Sequence, residues 1–224
     1  YNTVDTVIVG RFVSTQALAA VGTAGPLVNM INGFFTGLST GATVILAQYF
    51  GAGNREGVRK AMHTGITLSL LLGLVIVLLG CGLGPTVLRW MKTPEECLDM
   101  AALYVRIYFA GAIASMLYNM EAGILRAMGD SQRPVISLIV ACVVNIIMDI
   151  VLVVFLKMGV AGAAYATILG QWIAAVLGLI MNIRMNPEVS ISMKGFKPHG
   201  ATLRRILSIG IPSVVMQSIG SVMT

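Results

Sequence analysis

Apolar stretches of membrane-spanning length, parted by short polar turns, set the rhythm of this chain. VRKAMHTGITLSLLLGLVIVLLGCGLG (58–84) and GAAYATILGQWIAAVLGLIMNI (162–183) each hold about 20 mostly apolar residues, enough to cross a hydrocarbon core of about 30 Å. The short alternating strands of outer-membrane barrels are absent, so the predicted spans are helices. The pattern places them at about 1–11, 25–49, 58–80, 97–127, 131–157, 160–184 and 203 to the end. Pro26 starts the second span or kinks it. That span carries Gly33, Gly37 and Gly41 at four-residue spacing, which lets a neighbouring backbone come close. GAGNRE (51–56) and RAMGDSQRP (126–134) read as tight turns between hairpin helices. MNPEVSISMKGFKPHGA (185–201) is the longest polar connection and a linker candidate. With Tyr1 in place of Met and an apolar segment running to Thr224, both ends read as cuts through membrane helices.

Composition agrees with a chain solvated by lipid. Hydrophobic residues make up 57% and charged ones only 11%, against about 25% charged in soluble domains. A net charge of +6 would suggest nucleic acid in a soluble protein. Here the basic residues crowd the connections after the second, fourth and sixth spans, so they set topology and no nucleic-acid partner is expected. The positive-inside rule makes those connections cytoplasmic, with a cytoplasmic amino terminus and the first span running outward to Arg11. Cys81, Cys97 and Cys142 form no CxxC pair and read as small buried hydrophobes.

A few polar groups do not fit an interface. In VVNIIMDIVLVVF (143–155), Asn145 and Asp149 are four apart and share a helix face. Asp149 lies eight residues before Lys157, about 12 Å inside the outer boundary. Thr167 lies eight residues into the next helix, at nearly the same depth, and Asp5 is about 9 Å in from Arg11. A carboxylate at such a depth costs about 2.5–3.5 kcal/mol and commonly marks an ion or proton pathway. Asp5 and Asp149, with the neutral oxygens of Asn145 and Thr167, are chemically suited to bind a proton or Na⁺. No other metal is expected.

Tyr104, Tyr108, Ser115 and Asn119 fall on one stripe of the fourth span. Hydroxyl-bearing rings suit a cavity for amphipathic cations, though Tyr104 equally fits an outer aromatic belt. Asn119 is too deep for that belt. Glu121 reads as an interfacial glutamate paired with Arg126, and His63 as an interfacial histidine. There is no P-loop, GxSxG or HExxH, so an enzyme or an ATP-driven pump has no support, and no cofactor is expected.

YNTVDTVIVGRFV, ALAAVGTAGPL, FFTGLSTGATVILAQYFGAGN, GILRAMGDSQRPV and NIIMDIVLVVFLKMGVAGAAYAT together resemble the multidrug and toxic compound extrusion (MATE) family. The resemblance runs over essentially the whole chain. It implies an all-α polytopic fold: a six-helix amino-terminal transport lobe at 1–184, lacking the front of its first helix. A cytoplasmic inter-lobe linker at 185–201 and a truncated first helix of the second lobe at 202–224 follow. It further implies export of drugs or toxic organic cations across the cytoplasmic membrane against Na⁺ or H⁺, with a carboxy-terminal lobe as partner. Asp5, Asn145, Asp149 and Thr167 match the family's cation site. Tyr1, Tyr104 and Asn119 match cavity positions. Two rivals stay open: a lipid-intermediate flippase of the same superfamily, hinted at only by Arg106, and a non-transporting membrane scaffold.

Overall fold

The computed structural model describes residues 2–185 and 199–222. Among them the chain is entirely helical, in the order α1 (Asn2–Phe12), α2 (Thr15–Gly51), α3 (Arg55–Trp90), α4 (Glu95–Ala110), α5 (Ala112–Ala127), α6 (Gln132–Asp149), a π-helical turn (Ile150–Phe155), α7 (Gly159–Met185) and α8 (Gly200–Val222). Tyr1 and most of the expected linker lie outside the described residues.

Local chemistry fixes the boundaries. Ser14 Oγ accepts from Ala17 N at 3.0 Å and caps α2. The helix therefore begins about ten residues before the expected start and runs straight through Pro26. Neighbouring helices in a bundle accommodate such a proline. Asn54 Oδ1 caps α3 by accepting from Gly57 N at 2.8 Å, after a turn in which Gly53 takes φ 66°. Gly129, at φ 88°, and Asp130, whose Oδ1 accepts from Gln132 N at 3.0 Å, make the turn into α6.

The span expected at 97–127 is two helices bent by 47°. At the break, a Cβ on Gly111 would lie 2.6 Å from Ile168 Cγ1, so α7 presses against the point where the chain bends. After Asp149, α6 loosens into the π turn, and Leu156 N donates to Val151 O at 2.9 Å.

Two apolar cores stack along the helices. One gathers α1, the first half of α2, α4 and the start of α7; the other gathers the second half of α2, the first half of α3, α5 and α8. The bend at Gly111 divides α4 in the first core from α5 in the second. Close packing of α8 on α2 explains the glycine stripe. A Cβ on Gly37 would sit 2.6 Å from the Val214 backbone, and one on Gly41 2.5 Å from Ile206 O. The sequence announced a close approach without naming the partner.

The outer surface is apolar: Leu71, Leu74, Leu78 and Leu79 on α3 and Val135, Ile139, Val143 and Ile147 on α6 are exposed, while polar groups lie inside. Among the described residues, α2, α3, α7 and α6 with its π turn are each long and apolar enough to cross a membrane, and the bent pair α4–α5 supplies a fifth span. This is a multi-pass membrane architecture.

Candidate functional site

Three helices bring their polar residues to one point. Asp5 on α1, Asn145 and Asp149 on α6 and Thr167 on α7 are all at most 1% exposed. Thr167 Oγ1 donates to Asp5 Oδ2 at 2.7 Å, with Ala163 O 3.0 Å away as a second acceptor. Asp149 lies beside Asp5 in this buried group. Two ionised carboxylates side by side repel, so a proton or a cation between them stabilises the arrangement. Among the described residues, Asp5 Oδ1, both Asp149 oxygens and both amide atoms of Asn145 have no hydrogen-bond partner. Buried acceptors of this kind need a donor or a positive charge, and an all-oxygen set suits a proton or a hard cation.

A cleft of about 390 Å³ adjoins this group. Tyr108, Ser115 and Asn119 line it, together with Asn32 and Thr36 from α2 and Gln171 from α7. Tyr108 Oη donates to Asn32 Oδ1 at 3.1 Å, and Asn119 Nδ2 donates to Ser115 O at 2.8 Å. Thr167 belongs to both places: its hydroxyl holds Asp5 while its side chain lines the cleft.

Tyr104 sits elsewhere. It is 2% exposed, stacked on Tyr108 with centroids 6.2 Å apart, and lies beside the two aspartates. It is neither on the cleft wall nor at an outer belt. The cavity position expected at Tyr1 lies outside the described residues.

Asn32, Thr36 and Gln171 were missed in the sequence. Their signal was available: Asn32 and Thr36, like Thr167 and Gln171, repeat the four-residue spacing that marks Asn145 and Asp149.

Glu121 requires a correction. It is fully buried, and neither carboxylate oxygen has a partner, so no pairing with Arg126 exists among the described residues. Five residues apart on a helix are about 140° apart around it, which points the two side chains different ways. His63, expected at an interface, is also buried.

The comparisons with known proteins agree with this architecture. The MatE family profile matches residues 1–151. The chain is 36% identical over 180 residues to the probable multidrug resistance protein YoeA of Bacillus subtilis (strain 168), covering 79% of this chain and 39% of that one. A structure described as the inward-facing conformation of a multidrug resistance MATE family transporter of the MOP superfamily superposes with a TM-score of 0.91 at 29% identity, covering 99% of this chain and 50% of that one. The outward-facing conformation of such a transporter superposes with a TM-score of 0.88 at 30% identity, covering 97% and 48%. The chain thus spans about half the length of these relatives or less. With the profile running over two thirds of its residues, this chain belongs to the MatE family of transporters.

Proposed function

We propose that the chain is the amino-terminal lobe of a cation-coupled antiporter, which exports cationic or amphipathic drugs against inward Na⁺ or H⁺. Asp5, Asn145, Asp149 and Thr167 hold the coupling ion; Tyr108, Asn119, Asn32 and Gln171 face the drug. The observation that carries this reading is Thr167, which bonds Asp5 while lining the cleft. An ion arriving at Asp5 and Asp149 competes for the bond that positions a cleft wall, so ion and drug occupancy share a structural element. Alternating access then exposes the cleft to either side in turn. Relatives with inward- and outward-facing conformations support that cycle. Entry of one positive charge down 100 mV supplies about 2.3 kcal/mol to drive export. The working location is the cytoplasmic membrane, with the amino terminus inside and a carboxy-terminal lobe completing the cavity. Arg106, the residue that hinted at a flippase, is exposed on α4 and is not among the residues lining the cleft.

The test is drug uptake into inverted proteoliposomes carrying the full-length protein, under a Na⁺ gradient and under a pH gradient separately. One of the two gradients drives accumulation; no accumulation under either overturns the antiporter reading. Thr167→Val keeps shape and removes the hydroxyl. A hydrogen bond to a charged group is worth about 1.5–3 kcal/mol, so the apparent affinity for the coupling ion is expected to shift about tenfold or more. Titration of the driving ion in the same assay reads this directly.

A further inference from the structure

The buried carboxylate that the cleft does not use is Glu121, on α5. Its side chain points at α7: a Cβ on Gly178 would lie 2.6 Å from Glu121 Oε2, so the carboxyl packs directly against the glycine of that helix. One turn further along α7, on the same face, stands Asn182, 1% exposed. Asn182 Nδ2 donates to Gly178 O at 2.9 Å and to the Glu121 backbone O at 3.4 Å. Those two carbonyls fix the amide's orientation, because flipping it would set oxygen against oxygen. Among the described residues, Asn182 Oδ1 is therefore left as an acceptor without a donor, as are both oxygens of Glu121.

We propose that Glu121, Gly178 and Asn182 form a second proton-binding site between α5 and α7, in which the protonated Glu121 carboxyl donates to Asn182 Oδ1.

A proton satisfies both residues at once. It neutralises a carboxylate that would otherwise cost several kcal/mol to bury, and it gives the orphaned amide oxygen its donor. Three orphaned oxygens are too few to replace the shell of a hard metal cation. The titratable or charged groups toward this end of the packed elements include Arg59, Lys60 and His63 on α3, Tyr118 and Arg126 on α5 itself, Arg133 on α6, Arg184 on α7 and Tyr49 on α2. Among the described residues none donates to the Glu121 carboxylate. The site is also separate from the aspartates. Gly178 lies eleven residues along α7 from Thr167, roughly 17 Å. One helix thus contacts a carboxyl near each of its ends. Any part the second proton plays in transport rests on the antiporter reading, whereas the proton itself does not.

Infrared spectroscopy of the full-length protein in lipid tests this, with Asp5→Asn and Asp149→Asn introduced together so that the other site contributes no carboxyl. At neutral pH a protonated-carboxyl band is expected, and adding Glu121→Gln removes it. Glutamine keeps the size and supplies an N–H to Asn182, so folding is preserved. Asn182→Ala, in the same background, is expected to shift the band upward in frequency as its acceptor is lost. An identical spectrum with and without Glu121→Gln overturns the proposal. Loss of the band on adding Na⁺ alone at fixed pH does so too, because it assigns the site to a metal cation. Should Glu121→Gln misfold, the Asn182→Ala shift decides alone, and its absence counts against the site. None of these readouts depends on drug transport, so a failed antiporter assay leaves them interpretable.

Discussion

Asp149→Asn is expected to abolish drug export by the full-length protein while leaving its membrane level unchanged. Asparagine has nearly the same volume, so the tight contacts around a fully buried residue survive. What is lost is the second negative charge. The pair then holds a single carboxylate, one of whose oxygens already accepts from the Thr167 hydroxyl. With two carboxylates an arriving proton or cation relieves their mutual repulsion; with one, that repulsion is gone and the Thr167 bond persists whether or not an ion is bound. Membrane fractionation, drug-susceptibility assays and efflux of a fluorescent cation check the result. Resistance at the level of the unaltered protein would sink the ion-coupling role of this carboxylate, and loss of the protein from the membrane would show a structural role instead.

The second large effect is expected at Gly41. Gly41→Ala places a methyl 2.5 Å from Ile206 O, 2.6 Å from Gly210 N and 2.8 Å from Gly210 Cα. All three are backbone atoms, so no side chain can rotate aside and α8 must move away from α2. Overpacking of this kind costs about 1–3 kcal/mol. A lowered melting temperature in detergent is the readout. Gly33→Ala, on the same stripe, is the built-in control: its Cβ meets Gln217 at 3.5 Å, ordinary contact, and should leave the melt unchanged. Equal destabilisation by both would show that the backbone contact with α8 does not set the cost at Gly41, since helix propensity alone favours alanine over glycine.

Much of the fold was legible because membrane helices are long and their interruptions are chemical. The apolar stretches gave the spans, and Gly53, Gly129 and Asp130 marked the turns. Depth counting from helix ends brought Asp5, Asn145, Asp149 and Thr167 to one level, because a helix converts residue number to distance at a fixed rate. What counting could not supply was azimuth relative to other helices. Glu121 was read against Arg126, its neighbour in sequence, while the residues that shape its surroundings are Gly178 and Asn182 on another helix. The bend at Gly111 was hidden for the same reason, since Ile168 presses there from α7. The early start of α2 was missed differently. Pro26 drew attention as a boundary, and the capping power of Ser14 further back was overlooked.

The π turn after Asp149 changes how the inner face of α6 winds. Ser137, Ala141, Asn145, Asp149 and Val153 are buried at strict four-residue intervals. On an α-helix, where each residue advances 100°, four of them overshoot a full circle by about 40°. Up to Asp149 the buried seam therefore creeps steadily around the helix. Beyond it the π turn fits more than four residues into a circle, and the step to Val153 falls short. The creep reverses its sense at Asp149, so the carboxylate stands at a cusp, with the seam curving away to one side both above and below it.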